Sequence, residues 1–340
     1  MNNRIPWIAL TATEELPIFR EPMDVAAKGL AEVKEIPMPY KPLTDSEIGY
    51  WSNQLAGAAA ILLRSGYITE ALLHNLKDLK IVAVHGSGVD PVDVDACTGR
   101  GIYVTNTPGA NADAVAEITL GLMLSLARNI PSAVEKVKSD LAWDDARYLG
   151  TELKNKTLGL LGLGQIGGRV SKIAIAFGMN IIAHDPAMPS TEIQKRGVKP
   201  VSLSDLAKYS DFLSLHAPAT DATNKIINRR FISLMKQSSL IINCARGSLI
   251  DEHALADALI SKKISGAALD VLDGEPPDPK SPLFHAPNVL VTPHMAGSTA
   301  ECLKTIANTA TQDIIRVLKG QQPQNAVNTP IVKSPKSLKV

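Results

Sequence analysis

One glycine-rich segment, Gly162–Gly167, constrains the fold more than any other part of the chain. It follows the apolar run Thr157–Leu161 and precedes a predicted helix, so this part of the chain is predicted to be a strand, a turn and a helix. In such a turn Gly162 permits the tight bend, Gly164 lets a pyrophosphate approach the backbone, and Gly167 lets the helix pack on the strand. The helix start, with Gln165 and Ile166, offers free amides to an anion.

An acidic residue in the expected place supports this interpretation. Asp185 ends the next predicted strand, Asn180–His184, where a carboxylate accepts hydrogen bonds from both ribose hydroxyls and repels a 2′-phosphate. Pro186 and Ala187 follow, without an adjacent arginine to bind such a phosphate. The segment therefore predicts an NAD site. The alternative is a structural glycine turn beside an ordinary strand-end aspartate.

Around this segment, short apolar runs alternate with helix-like stretches, which predicts α/β structure with doubly wound parallel sheets. We expect two Rossmann-like domains with the active site in the cleft between them. The long helical stretch 298–318 is expected to leave the second domain and pack on the first. The predicted boundaries are 1–106 plus 298–340 for a discontinuous substrate domain and 107–297 for the NAD-binding domain.

Composition excludes several classes of protein. Apolar residues form 45% and charged residues 20% of the 340 residues, which is typical of a folded soluble chain. Lys and Arg number 35 against 34 Asp and Glu, so no excess of positive charge favours nucleic acid. No apolar run is long enough to span a membrane, and three scattered cysteines form no metal or disulfide pattern. We therefore expect a cytoplasmic protein without metal.

Three later strand ends carry residues suited to oxidation and reduction. Arg246 follows the predicted strand 239–243, Glu275 lies in the loop after 267–270, and His294 follows 289–291. Hydride transfer at a C–O bond needs a proton carrier and a cation for an anionic substrate. Each residue has a structural alternative, as a surface ion pair, a loop carboxylate or a packed turn histidine. Their shared sheet edge favours the catalytic interpretation.

The motif order resembles the D-2-hydroxyacid dehydrogenase family over nearly the whole chain, and most closely its phosphoglycerate dehydrogenase and hydroxypyruvate reductase branch. The matching segments are 85–90, 105–109, the Gly162 loop with Asp185, 215–218, 243–247, 270–276 and 292–297. Amino-acid and L-hydroxyacid dehydrogenases place their motifs in a different order. We expect no C-terminal regulatory domain of the kind that longer phosphoglycerate dehydrogenases have, and therefore no serine feedback through such a domain.

The resemblance implies a role for each matching residue. Arg246 binds the substrate carboxylate, His294 is the acid and base, and Glu275 pairs with His294 to favour its imidazolium form. Asp270 holds the nicotinamide carboxamide. Further cofactor neighbours are Ser87, Gln165, Ile166, His216, Ala217, Pro218, Cys244, Ala245, Ala296 and Gly297. Further substrate neighbours are Arg64, His85, Gly86, Ser87 and Gly88.

The identity of the substrate stays open. Glu275 stands where formate dehydrogenases resembling this family have Gln, which argues against formate. Val84 stands where the phosphoglycerate dehydrogenase branch has an arginine that binds the substrate phosphate. Arg64, in contrast, matches a second arginine of that branch on the phosphate side of the substrate. We expect a small 2-oxo acid of the hydroxypyruvate or glyoxylate type. The alternatives are 3-phosphoglycerate dehydrogenase of serine synthesis and, in another class, a non-enzymatic NAD-sensing corepressor.

The long apolar helix 112–127 resembles the family's pairing helix, and we therefore expect a homodimer. The implied partners are NAD and a small anionic 2-oxo or 2-hydroxy acid, with no nucleic acid and no membrane.

Overall fold

The computed structural model describes residues 5–141, 143 and 148–331 and divides into two compact units. One unit comprises residues 1–111 and 299–340, and the other residues 112–298. Compared with the predicted boundaries, residues 107–111 lie in the first unit and residue 298 in the second. Helix α5 (Ala112–Ala127) therefore begins the second unit.

The first unit is built on a five-stranded parallel sheet of order β2-β1-β3-β4-β5. Its strands are β1 (Trp7–Thr11), β2 (Glu32–Glu35), β3 (Ala58–Leu63), β4 (Ile81–Val84) and β5 (Tyr103–Thr105). Its helices are α1 (Glu21–Ala27), α2 (Asp45–Gln54), α3 (Glu70–Leu73), α4 (Val94–Gly99) and, near the C-terminus, α12 (Ala300–Leu318). The inner strands β3 and β4 are buried along their whole length, which explains their uninterrupted apolar sequences.

Both faces of this sheet are covered. Helices α1 and α12 pack on one face, where Ile314 and Ala310 belong to the same apolar cluster as Leu62 and Ala83. The other face carries a second apolar cluster that includes Leu63, Leu72 and Val84. The spacing of leucines predicts a helix over 69–79, but α3 ends at Leu73. Leu76 and Leu79 are nevertheless buried in the turn that follows, so their burial required no helix.

The second unit contains a seven-stranded parallel sheet of order β12-β11-β10-β9-β6-β7-β8. Its strands are β6 (Thr157–Leu161), β7 (Asn180–His184), β8 (Lys199–Pro200), β9 (Phe212–Leu215), β10 (Leu240–Asn243), β11 (Gly266–Leu269) and β12 (Val289–Val291). Besides α5, its helices are α6 (Ile130–Asp140), α7 (Gln165–Ala176), α8 (Ser190–Lys195), α9 (Leu203–Tyr209), α10 (Arg229–Leu234) and α11 (Glu252–Ile260). The predicted α/β fold with two parallel sheets is confirmed.

The strand order of this sheet reverses at β6, because β7 and β9 lie on its two sides. At such a switch point two neighbouring loops diverge, and the crevice between them is the usual ligand site of an open parallel sheet. Helices α5 and α7 cover one face and α9, α10 and α11 the other. Within the described part of the chain, no helix is long and apolar enough to cross a lipid bilayer.

Candidate active site

The loop between β6 and α7 lies at this switch point, and each of its three motif glycines has a distinct environment. Gly162 has φ +91°, and a Cβ there would lie 2.8 Å from the His216 carbonyl. A Cβ on Gly167 would lie 2.3 Å from the Gly162 oxygen, so only glycine allows α7 to approach this closely. A Cβ on Gly164 would meet no atom within 4 Å. Gly164 therefore faces open space.

The start of α7 is suited to an anion. Gly164 is its N-cap and supplies no side chain to accept from the first-turn amides. Gln165 is held from the helix side, because Arg169 donates to its carbonyl and its Oε1, each at 3.0 Å. A pyrophosphate fits here, since uncapped amides face the space that Gly164 leaves open.

Asp185 is fixed by the same loop. Its Oδ2 accepts from the Leu163 amide at 2.8 Å, and its Oδ1 accepts from the Ala187 amide at 3.0 Å. A carboxylate has about four acceptor positions, so each oxygen retains one for a ribose hydroxyl. The side chain is therefore held at the end of β7 without being saturated.

His216 follows β9 and packs against the glycine loop. Its Nε2 lies 2.9 Å from the Ser214 hydroxyl, and its Nδ1 is buried without a hydrogen-bond partner. Burial lowers the pKa of His216 to about 3, so the ring is neutral. The predicted neighbours Ala217 and Pro218 continue this segment, with the Ala217 amide close to Gly162. His216 is thus a packing residue of the loop.

The segment after β10 places Arg246 through backbone contacts. Asn243 Nδ2 donates to the Arg246 carbonyl at 2.8 Å, and Asn243 Oδ1 accepts from the Ala245 amide at 3.0 Å. A Cβ on Gly247 would lie 1.9 Å from the Leu272 carbonyl carbon, so this turn presses directly on the loop after β11. Asn243 is a positioning residue that the sequence reasoning did not single out.

Cys244, in the same segment, is buried. Burial raises the pKa of its thiol to about 12, and the nearby Thr119 hydroxyl on α5 opposes this effect only in part. A thiol of this kind is not a nucleophile at neutral pH. Its place beneath the Arg246 turn agrees with a packing role.

Asp270 holds the loop that carries His294. Its Oδ1 accepts from the Thr292 hydroxyl at 2.6 Å and from the Met295 amide at 2.9 Å, and its Oδ2 accepts from the Ala296 amide at 2.9 Å. Its side chain is almost fully buried. The resemblance implied a contact with the nicotinamide carboxamide, for which one acceptor position on Oδ2 remains. The structure adds a positioning role.

His294 and Glu275 form a close pair at the carboxyl edge of the sheet. Nδ1 of His294 lies 2.6 Å from Oε2 of Glu275. An ionised carboxylate only accepts, so Nδ1 carries the proton and Nε2 is left for a ligand. His294 has φ +49°, and its amide donates to the Asp270 carbonyl at 2.9 Å. The side chain is 47% exposed and so remains reachable.

The first unit carries the remaining candidates in a separate group. The loop after β4 is tied to Asn106 and Thr107: Asn106 Nδ2 donates to the Ser87 carbonyl at 2.6 Å, and the Ser87 hydroxyl donates to the Thr107 carbonyl at 3.2 Å. The Gly86 amide already donates to the Val84 carbonyl at 2.9 Å. Of the amides of the three loop residues expected to contact the substrate, those of Ser87 and Gly88 have no hydrogen-bond acceptor among the described residues.

Arg64 and His85 lie at the carboxyl ends of β3 and β4 in the same unit. The Nε of Arg64 and both ring nitrogens of His85 are buried without a hydrogen-bond partner. The His85 ring therefore has no hydrogen bond that explains its burial. Among the described residues, no group of three or more potential metal ligands lies together.

The comparisons with known proteins identify the family. Residues 120–296 match the family described as D-isomer specific 2-hydroxyacid dehydrogenase, NAD binding domain. The chain is 44% identical over 313 residues to D-3-phosphoglycerate dehydrogenase of Methanocaldococcus jannaschii, covering 92% of this chain and 59% of that protein. It is 44% identical over 253 residues to hydroxypyruvate reductase of Thermotoga maritima, covering 74% of this chain and 81% of that protein.

A crystal structure of a Thermus thermophilus protein superimposes with a TM-score of 0.82 at 33% identity, over 94% of this chain and 99% of that one. The chain thus belongs to the D-2-hydroxyacid dehydrogenase family and carries its NAD-binding domain. It spans only 59% and 52% of the lengths of two phosphoglycerate dehydrogenases that it matches.

Proposed function

We propose that the protein is an NAD-dependent D-2-hydroxyacid dehydrogenase that interconverts a small 2-oxo acid and its 2-hydroxy acid. The observation that carries this proposal is the 2.6 Å pair of His294 and Glu275, at the same sheet edge as the dinucleotide loop. A solvent-reachable imidazole oriented by a carboxylate is the arrangement that general acid–base chemistry needs. NADH, when bound, supplies the hydride.

The chain's own residues bind the substrate and move the proton. Arg246 provides a guanidinium for the substrate carboxylate, a geometry in which arginine makes paired charge-assisted hydrogen bonds. During reduction Nε2 of the His294 imidazolium donates a proton to the carbonyl oxygen while Glu275 accepts from Nδ1. During oxidation neutral Nε2 takes the hydroxyl proton back.

The preferred cofactor is NAD rather than NADP. Two backbone amides hold the Asp185 carboxylate at the end of β7, so this side chain cannot rotate away from a bound ribose. A 2′-phosphate there would face a like charge, which typically costs several kcal/mol.

The substrate is proposed to be unphosphorylated. Val84 lies in an apolar cluster and is only 6% exposed. It cannot provide the positive charge that an arginine at this position would provide. Arg64 and the similarity to phosphoglycerate dehydrogenases favour the second candidate, oxidation of 3-phosphoglycerate. The missing arginine removes one charge-assisted contact, worth about 1.5–3 kcal/mol, and this loss favours the unphosphorylated acid.

A single assay tests the function. NADH oxidation is measured over a panel of 2-oxo acids, with wild type and the H294A variant. We expect turnover of small unphosphorylated acids, a drop of about 10²–10⁴-fold in H294A, and unchanged NADH binding by fluorescence. NADH binding without turnover of any acid would instead indicate the corepressor-like class. A tenfold preference for 3-phosphohydroxypyruvate would favour the second candidate.

Two further assignments are part of the proposal. The unit 112–298 is the cofactor unit, and residues 1–111 with 299–340 form the substrate unit. The protein is cytoplasmic, an assignment supported by three cysteines that are all buried and unpaired.

The protein is also proposed to be a homodimer. The sequence analysis based the homodimer on helix α5, but α5 buries most of its apolar residues inside its own unit. The proposal therefore has another basis. Helix α6 instead exposes Ile130, Val134 and Val137 along one face. Leu141, Trp143 and Leu149 follow it and are 84–92% exposed. An apolar surface of this kind marks a protein interface.

A further inference from the structure

One charged side chain from another part of the second unit is bonded to the glycine loop. Arg196 follows helix α8, and its Nη1 donates to the Leu163 carbonyl at 2.9 Å. A Cβ on Gly168 would lie 3.6 Å from the same nitrogen, so the guanidinium lies beside the start of α7. Its ion pair with Glu192 is longer, with 3.9 Å between Nε and Oε1. The bond to Leu163 is thus the closer contact, and it ties α8 to the loop.

Both peptide groups of Leu163 are bonded within the unit. Its amide donates to Oδ2 of Asp185 at 2.8 Å, and its carbonyl accepts from Arg196. Its side chain is fully buried in the apolar core. In a planar trans peptide the C=O and the N–H point in opposite directions, so the Gly164 amide points away from Arg196. No described residue provides an acceptor for that amide, which is therefore available to a ligand.

Sterics alone do not fix the orientation of the peptide between Leu163 and Gly164. Turning it over changes mainly ψ of Leu163 and φ of Gly164, and glycine adopts positive and negative φ about equally readily. A Cβ on Gly164 would meet no atom within 4 Å, so the surroundings leave room for the change. In the turned orientation a carbonyl oxygen would take the place of the amide and repel an anion. A hydrogen bond that holds the Leu163 carbonyl therefore favours the orientation that binds an anion.

We propose that Arg196 is a positioning residue of the NAD site, which holds the Leu163 carbonyl and so keeps the Gly164 amide directed at the cofactor pyrophosphate. The guanidinium acts on the cofactor through this peptide, and not by pairing with a phosphate. Without the bond, pyrophosphate binding weakens, whereas adenosine binding persists because Asp185 still holds the Leu163 amide. This role concerns the cofactor site alone and is independent of the acid that the protein reduces.

Binding without turnover tests this role. NADH is titrated by fluorescence and ADP-ribose by calorimetry, and both carry the pyrophosphate. Adenosine carries no phosphate and is the reference ligand. R196L is expected to raise the Kd of NADH and of ADP-ribose roughly five- to thirtyfold and to leave that of adenosine nearly unchanged. R196K keeps a donor and should recover part of the loss.

A control variant and a salt series separate positioning from other effects. E192Q removes the ion pair of Arg196 and leaves its bond to Leu163 in place, so it should bind NADH as wild type does. Exposed charge pairs are screened by salt, whereas a hydrogen bond to a carbonyl is not. The ratio of the R196L and wild-type Kd values should therefore be the same at about 0.05 M and about 0.5 M NaCl. A ratio that falls toward one at high salt would overturn the proposal, because Arg196 would then attract the phosphates directly.

A double-mutant cycle connects the effect to Gly164. A pyrophosphate that cannot approach gains nothing from the orientation of the amide, so R196L should weaken NADH binding less in G164A than in wild type. Arg196 is 39% exposed, so its variants are expected to fold, and R196M replaces R196L if melting shows otherwise. Additive losses in the cycle would contradict the proposal. So would wild-type ADP-ribose binding in R196L, or an equal loss for adenosine, which would indicate a loosened loop.

Discussion

At the scale of single residues, the chemistry depends on how firmly His294 is held. Its backbone adopts φ +49°, a left-handed conformation that costs roughly 1–2 kcal/mol for an L-residue. The Asp270 carbonyl and carboxylate stabilise this loop through its amides. The imidazole is therefore oriented from two directions, by its own backbone and by Glu275.

Replacing Glu275 by Gln tests the second of these directions. The amide preserves the size of the side chain and an acceptor for Nδ1, but the hydrogen bond to Nδ1 is then neutral, and charge-assisted hydrogen bonds are roughly twice as strong as neutral ones. The imidazole is therefore held less firmly, and kcat for reduction should fall while NADH binding stays unchanged. The measurements are kcat for reduction and NADH binding by fluorescence. An unchanged kcat would show that Glu275 does not act on His294.

Asp185 determines the cofactor preference at the same scale. Wild type is expected to favour NADH over NADPH roughly tenfold or more in kcat/KM, because a 2′-phosphate would meet a fixed carboxylate. D185S should lower the ratio of kcat/KM with NADH to that with NADPH. D185N keeps the shape of the side chain and an acceptor for the Leu163 amide while removing the charge, so it should lower the same ratio if the charge is the cause. Equal efficiency of wild type with both cofactors would contradict the prediction.

At the scale of elements, two glycines of the turn between β6 and α7 have different roles: Gly167 is expected to affect stability and Gly164 to affect NADH binding. G167A places a Cβ 2.3 Å from the Gly162 oxygen, so α7 must shift, and overpacking of this kind costs about 1–3 kcal/mol. G164A meets nothing within 4 Å, so it should fold normally and weaken NADH binding by filling the open space. Urea denaturation and fluorescence titration measure the two effects. The interpretation fails if G164A binds NADH as wild type does.

Elements also show where patterns predict structure well. The bounds of the buried parallel strands β6 and β7 are predicted from the sequence as they are observed, because such strands are mostly continuous apolar runs. Strand β2 was not predicted, since its charged, largely exposed residues belong to a sheet edge and its strand character comes from pairing with β1. Helix α12 can be predicted from the sequence, because its residues have an amphipathic pattern and Thr299 is a residue type suited to its N-cap.

At the scale of the whole molecule, the exposed face of α6 is expected to mediate dimerisation. V134E combined with V137E should give a monomer, because two charges in an apolar interface remain unpaired. Light scattering after size exclusion measures the mass. V25E, on the exposed surface of α1, is the matched control and should not change it. A wild-type monomer would exclude the dimer.

The sequence by itself determined the α/β class, the glycine turn with Asp185, and the strand ends that carry Arg246, Glu275 and His294. These features depend on local spacing and on strand direction, which a chain displays directly. Only the tertiary structure decided that His294 Nδ1 lies against Glu275, that Asp270 holds the His294 loop, and that Nε of Arg64 and both ring nitrogens of His85 are buried without a hydrogen-bond partner. Whether a polar atom is satisfied depends on neighbours from distant segments, here β3, β4 and α12, and no local pattern records them.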